Sequence, residues 1–127
     1  MKANVYFGVF GFDCGHDQIT HIAGVKPTIA WNKGESYSEK YPEAIRTHSR
    51  WVLDSGLPDS DDIELKLDAV LAQLAENLDG LRRVISQHNC KIVIAQDING
   101  GSVSFDISGK CLKRIADLNL GIWIDQN

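Results

Sequence analysis

The chain has 127 residues, which is the length of one ordinary domain that can bury its own core. Its 13 basic and 17 acidic side chains give a net charge of -4, which disfavours nucleic acid as a partner because non-specific binding to phosphates needs a basic surface. Its three cysteines have no paired spacing, which argues against the disulfide framework of a secreted protein. No segment approaches the length of about 20 apolar residues that is needed to cross a bilayer. We therefore expect one cytoplasmic domain, residues 1–127, without nucleic-acid or membrane binding.

The first half of the chain predicts two main strands, a short helix and a long loop. VYFGVFGF has the aromatic and β-branched residues of a strand, and a helix is expected around residues 17–23 with Gly24 as its left-handed end. Residues 26–49 show little periodicity and are expected to form a long loop or flap, apart from a possible short strand at TIAW. RWVLDS then reads as the next strand.

The second half predicts further helices and strands. After an acidic run, apolar residues follow helical spacing for many turns, and Asp79-Gly80 is expected to divide this stripe into two helices because glycine disfavours a helix interior. KIVIAQD and SVSFDI are expected to pair as a hairpin around Asn99-Gly100. Ser108 is expected to cap a helix, and Gly121 to turn the chain into the closing strand IWID. The inward residues of that last helix are expected to be Cys111, Leu112, Ile115 and Leu118.

The order of these elements, β-α-β-α(α)-β-β-α-β, predicts an α+β fold with a single, mostly antiparallel sheet and helices packed mainly on one face. Several strands are apolar on both faces, and alternation sets Trp123 opposite Ile122 and Ile124. If the helices take one face, an aromatic patch of Trp123 and Phe10 remains on the other. We expect the flap or a second subunit to cover this patch.

Candidate chemical sites are weak. Cys14, His16 and His21 include zinc ligand types, but the two histidines are five residues apart and do not share a helix face. Cys111 is expected to pack inward. Cys90 is close in sequence to a histidine, but both lie at a helix-to-strand turn, where their geometry does not suit a catalytic pair. We therefore expect no metal, no cofactor and no catalytic residue.

Four segments follow one another along nearly the whole chain: ITHIAGVKPTIAWNKGE, SRWVLDSGL, an acidic-capped amphipathic helix and VSFDISGKCLKRIADLNLGIWID. In their order and spacing they resemble the bacterial family of domain of unknown function 4279, most distinctively at Pro27-Thr28, Lys33-Gly34-Glu35 and Trp51. The resemblance implies a small α+β domain of bacterial origin with no established activity. By analogy of type, some such small acidic proteins resemble the immunity proteins of toxin systems.

Aromatic and basic side chains are mixed along the flap and the neighbouring strands, a composition common at recognition surfaces. The candidate binding residues are Trp31, Lys33, Arg46, Arg50, Trp51, Trp123 and Phe10. The expected function is non-enzymatic protein binding, immunity-like or self-associating as a homodimer. The alternative is a small-molecule anion binder or an enzyme with a pocket between the 26–49 flap and the sheet, in which Lys33 and Arg50 hold an anion.

Overall fold

The computed structural model describes residues 2–59, 62–97 and 104–126. Within these ranges the strands are β1 (Lys2–Phe10), β2 (Ile29–Trp31), β3 (Ser36–Ser38), β4 (Tyr41–Ile45), β5 (Arg50–Asp54), β6 (Asn89–Asp97) and β7 (Gly121–Gln126). The helices are α1 (His16–Ala23), α2 (Ile63–Glu76), α3 (Leu78–Gln87) and α4 (Gly109–Asp117). None of these helices is long and apolar enough to span a membrane.

The main sheet has five strands in the order β2-β5-β1-β6-β7, and β3 and β4 form a separate two-stranded ribbon. All neighbours in the main sheet are antiparallel except β6 and β7, which are parallel. The parallel pair is possible because α4 lies between β6 and β7 in the chain and provides the crossover that parallel strands need. The predicted α+β fold with a mostly antiparallel sheet is confirmed.

The main hydrophobic core lies between one face of the sheet and the helices. Alternation along β1 turns Val5, Phe7 and Val9 to this face, where all three are buried. Each of the four helices contributes buried residues to the same cluster, including Ile19, Leu74, Leu81 and Ile115. The prediction of helices on one face is therefore confirmed.

The opposite face of the sheet, here called the second face, carries a smaller apolar cluster. Tyr6, Val52 and Val93 are buried there, and Phe10 and Ala95 pack against them. In the part of the chain that the structure describes, this cluster contains only strand residues. The second face is thus available for further contacts.

The predicted hairpin is not present as expected. Ser104–Ile107 have no strand conformation, while the turn at Asn99-Gly100 lies outside the described residues. Both edges of β6 are already occupied, by β1 and by β7, so no position is left beside it for SVSFDI. Phe105 and Ile107 instead pack against the main core as they lead into Ser108.

The 26–49 segment is more regular than predicted. It contains the expected short strand as β2, and in addition the exposed ribbon of β3 and β4. Backbone hydrogen bonds from Gly34 N to Arg46 O (2.8 Å) and from Arg46 N to Glu35 O (2.7 Å) close the ribbon. The ribbon is held by hydrogen bonds between residues that are not neighbours in the chain. Such bonds leave no apolar periodicity in the sequence, so the ribbon could not be predicted from it.

The long helical stripe is divided, but at Asn77 and not at Asp79-Gly80. Asn77 has φ -127° and ψ 39° and separates α2 from α3, so Gly80 lies inside α3. A Cβ at Gly80 would lie 2.7 Å from the carbonyl oxygen of Ala23 and closer still to that of Ile22. The glycine is therefore explained by the close approach of α1 to α3.

Three side chains depart from the positions that simple helix or strand periodicity gives them. Leu112 of α4 is 44% exposed, whereas Cys111 and Ile115 are buried as predicted. Phe12 joins the main core, because Gly11 has φ 65° and turns the chain after β1. Ile124 is 48% exposed because β7 is the edge strand of the sheet.

Candidate binding surface

The strand register brings aromatic and basic residues side by side at one end of the second face. Trp31 of β2 pairs with Arg50 of β5, Arg50 pairs with Phe10 of β1, and Phe10 pairs with Asn89 of β6. Directly paired residues on neighbouring strands point to the same face. Four strands therefore present their side chains to one area of the surface.

These side chains lie close to one another. The Arg50 guanidinium lies 5.1 Å from the ring centroid of Phe10 and 5.6 Å from that of Trp31. The Arg46 guanidinium lies between Trp31 and Tyr37, at 3.9 and 4.0 Å from their centroids. The Trp123 ring meets Phe10 edge-on at 5.9 Å and 70°. We call this set the aromatic-arginine row: Trp123, Phe10, Arg50, Trp31, Arg46 and Tyr37.

Local packing fixes the position of the row. The Phe10 ring folds back over Gly8, where a Cβ would lie 2.5 Å from the ring atom Cζ. The Trp31 indole Nε1 donates a hydrogen bond to the carbonyl oxygen of His48 at 2.8 Å. The Ser49 hydroxyl donates to the carbonyl oxygen of Phe12 at 2.7 Å, which ties the end of the flap to the chain after β1. The rings of Phe10 and Trp31 are therefore held by their neighbours rather than by a ligand.

Two shallow concavities follow the row and share His48 and Arg50. The larger, of about 350 Å³, is lined by Phe10, Gly11, His48, Ser49, Arg50, Asn89, Lys91 and Trp123. The smaller, of about 240 Å³, is lined by Trp31, Tyr37, Arg46, Thr47, His48 and Arg50. The smaller one lies between the flap and the sheet.

The surface concentrates positive charge in an acidic protein. Among the described residues, no salt bridge within 4 Å involves Arg46, Arg50 or Lys91. Burial raises the pKa of the Tyr6 hydroxyl, and the charge of Asp125 raises it further while that of Arg50 opposes both. Tyr6 is therefore a neutral hydroxyl at pH 7, and the charge of Arg50 reaches the centre of the second face.

The structure brings five of the seven sequence-predicted binding residues together: Phe10, Trp31, Arg46, Arg50 and Trp123. The two others do not share this surface.

Trp51 alternates with Arg50 along β5 and is fully buried against the helices. Its ring meets Phe7 edge-on at 6.1 Å, and its Nε1 donates to the Thr20 hydroxyl at 3.0 Å. Lys33 is exposed in the turn between β2 and β3 and lines neither concavity. Trp51 is therefore a core residue and not a surface residue, whereas Lys33 is exposed as expected but lies outside this binding surface.

Sequence reasoning missed Lys91, Asn89 and His48. Lys91 and Asn89 alternate with the inward residues of β6, so the period alone puts them on the face of Val93. What the sequence does not contain is the register, which sets Asn89 beside Phe10 and Lys91 beside Gly8. That register could have been found only from the pairing of distant strands.

Two of the three thiols are poorly suited to nucleophilic chemistry. Burial raises the pKa of Cys90 to about 12, and its thiol lies 3.7 Å from the carbonyl oxygen of Val84. Burial also raises the pKa of Cys111. Both thiols are therefore protonated near pH 7.

His16, one of the candidate metal ligands, lies near the carboxylates of Asp17 and Glu35. No group of three metal-binding side chains occurs within residues 2–59, 62–97 and 104–126.

Comparison with known proteins identifies the family of the chain. Neither the curated proteins nor the solved structures contain a match to it. A family described as Domain of unknown function (DUF4279) matches residues 1–127, which is the whole chain. The predicted resemblance is thereby confirmed, and the chain belongs to the DUF4279 family.

Proposed function

We propose that the chain is a non-enzymatic protein-binding domain of the bacterial cytoplasm, which takes an acidic partner on the second face of its sheet. The observation that carries this proposal is the aromatic-arginine row, in which exposed and half-buried rings lie beside guanidinium groups along one end of that face. Tryptophan, tyrosine and arginine are the residue types that most often dominate the energy of protein interfaces.

The arginines of the row favour an acidic partner in particular. Arg50 and Arg46 lie over aromatic rings, and a guanidinium binds carboxylates through N–H groups that lie in its plane. Neither arginine has a salt bridge to a described carboxylate, so a partner need not displace an existing ion pair. Charge complementarity then favours a partner whose surface is negative.

A second copy of the chain is a less favourable occupant. A two-fold contact centred on the row would set the same surface against itself and bring Arg50 and Lys91 close to their counterparts. Like charges brought together in an interface cost several kcal/mol. An immunity-like function remains one form of the proposal, in which the acidic partner is a toxin.

A second candidate function has its own observation in favour. The concavity of about 240 Å³ lies between the flap and the sheet and is lined by two arginines, Arg46 and Arg50. A small-molecule anion binder, or an enzyme acting on an anion, would use this concavity. Its volume of about 240 Å³ is below the range of about 300 to 1,000 Å³ for small-molecule sites, so we place this function second.

The proposal is tested with two matched variants. Trp123 on the second face and Leu112 on α4 are similarly exposed, at 39% and 44%. Immobilised wild type and Leu112→Glu should retain the same protein from a lysate of the source organism, and retention should weaken at higher salt. Trp123→Glu should not retain this protein, because the new carboxylate would face the acidic partner.

Sedimentation of the same three proteins distinguishes the possible occupants. A wild-type dimer that Trp123→Glu converts to a monomer would identify a second copy as the occupant. Equal retention by all three proteins, or no retention and no self-association, would contradict the proposal.

A further inference from the structure

The larger concavity combines two chemical features that suit one small ligand. We propose that it binds a small molecule in which an anionic group, a carboxylate or a phosphate, is attached to a planar ring. We call it the Arg50–Lys91 pocket; it is formed by Phe10, His48, Arg50, Asn89, Lys91 and Trp123. This goes beyond the proposed protein binding, because the ligand is a free small molecule and needs no partner protein.

Two cations, Arg50 and Lys91, line the pocket. Arg50 pairs with Phe10 and Lys91 pairs with Gly8, so the two cations lie on strands that flank β1 and are offset by two residues. With a strand spacing of about 4.8 Å and a rise of about 3.3 Å per residue, their Cα atoms are about 12 Å apart. The ring of Phe10 covers Gly8, which lies between them. Both long side chains line the concavity, so a single anion above this ring lies within reach of Arg50 and Lys91.

The anion would find donors of two kinds. The Arg50 guanidinium lies over the Phe10 ring, with Cζ 5.1 Å from the centroid, and paired N–H groups of a guanidinium can hold two oxygens of a carboxylate or phosphate. The Lys91 amine adds a compact positive charge, and Asn89 adds an amide that can donate a hydrogen bond. No described carboxylate forms a salt bridge with either cation. The pocket therefore offers charge that the protein itself does not neutralise within the described residues.

Trp123 provides the surface for the ring. Trp123 pairs with Val93, and Lys91 pairs with Gly121, so Trp123 and Lys91 are diagonal neighbours on the parallel strands β6 and β7. Such neighbours are about 7 to 8 Å apart, within reach of large side chains. Trp123 is 39% exposed and its ring plane lies at 70° to that of Phe10, so a planar ring can stack on the exposed part of the indole. A ring on Trp123 would direct its anionic group toward Lys91 and Arg50.

The size of the pocket limits the ligand. Its volume of about 350 Å³ is near the lower end of the range of about 300 to 1,000 Å³ for small-molecule sites. One ring system with one anionic group fits this space better than a larger cofactor. The ligand class is therefore a compact aromatic anion.

The test is a titration of the ¹⁵N-labelled full chain followed by the indole N–H signals. The probes are adenosine monophosphate and benzoate, with adenosine and inorganic phosphate as their separate halves. We expect at least one of the two aromatic anions to shift the Trp123 signal and to bind at least tenfold more tightly than adenosine or phosphate. The Trp51 signal is the internal control and should not move, because this indole is buried and bonded to Thr20.

Charge-removing variants complete the test. Lys91→Gln and Arg50→Gln should each weaken binding of the aromatic anion at least tenfold, whereas Lys113→Gln on the exposed side of α4 should leave it unchanged. If Arg50→Gln does not fold, the comparison of Lys91→Gln with Lys113→Gln decides the outcome.

Three results would overturn the inference. They are no shift of Trp123 with either aromatic anion, binding of adenosine or phosphate alone as tight as that of the aromatic anion, or equal affinity in Lys91→Gln and Lys113→Gln. None of them bears on the retention of a protein partner, so this inference and the proposed function fail separately.

Discussion

Replacing Gly80 with alanine should destabilise the protein, although the residue lies inside α3. In an exposed helix interior the same change is stabilising by about 1 kcal/mol. Here the added Cβ would lie 2.7 Å from the carbonyl oxygen of Ala23 and 2.9 Å from its carbonyl carbon. Because both are backbone atoms at the end of α1, relief requires movement of a helix. Overpacking of this kind costs about 1 to 3 kcal/mol, which leaves a net loss of up to about 2 kcal/mol.

Gly109 supplies the matched control. It is the first residue of α4, and a Cβ there would have no atom within 4 Å. Gly109→Ala should therefore stabilise the protein by about 0.4 to 1 kcal/mol through the lower entropy of the unfolded chain. The free energy of unfolding of both variants is measured by urea denaturation followed by circular dichroism. If Gly80→Ala is as stable as Gly109→Ala, the close packing of α1 on α3 is wrong.

Three further predictions concern the core and its thiols. Leu74→Ala should lower the free energy of unfolding by about 2 to 5 kcal/mol because Leu74 is buried, while Leu112→Ala should change it by no more than about 0.5 kcal/mol. Equal losses in urea denaturation would contradict the assignment of Leu74 to the buried side of its helix and of Leu112 to the exposed side. Iodoacetamide at pH 8 should modify the exposed Cys14 but not Cys90, because a pKa of about 12 leaves about one Cys90 thiol in 10⁴ ionised. Peptide mass mapping measures the modification, and comparable modification of both cysteines would contradict the burial of Cys90. The pKa of Cys90 lies above that of an unfolded thiol, which is about 8.5, so the stability that the neutral thiol contributes is complete below pH 8.5. This stability is lost as the pH rises toward 12, by up to about 1.4 kcal/mol per pH unit. The free energy of unfolding of Cys90→Ala should therefore decline less steeply over this range, and an identical decline would refute the raised pKa.

Features that depend on neighbours in the chain could be predicted from the sequence. Ser108 caps α4 as expected, with its hydroxyl accepting a hydrogen bond from Cys111 N at 3.2 Å. Gly24 ends α1 in the left-handed conformation, with φ 73°. Alternation also predicts that Trp123 lies on the face of Phe10, and the two rings are in contact. In each case the determining contact spans a few residues or follows from the period of a strand.

Features that depend on strand register could not be predicted in this way. The hairpin after β6 was expected because both of its segments have strand character, but β7 occupies the edge that the second segment would need. Trp51 was assigned to the surface by its residue type, although it alternates with Arg50 and belongs to the core. Lys91 was missed because only the pairing of β1 with β6 brings it to the aromatic-arginine row.

The central claim is that the second face recognises an acidic partner through the aromatic-arginine row. The most direct measurement is the affinity of the retained partner for wild type, Arg50→Ala and Lys113→Ala, determined by calorimetry at two salt concentrations. Loss of an arginine at the centre of an interface typically costs 2 kcal/mol or more, which corresponds to about a 30-fold increase in Kd. We expect this increase and a weaker salt dependence for Arg50→Ala, with no change for Lys113→Ala. Equal affinity and equal salt dependence for the two variants would contradict it.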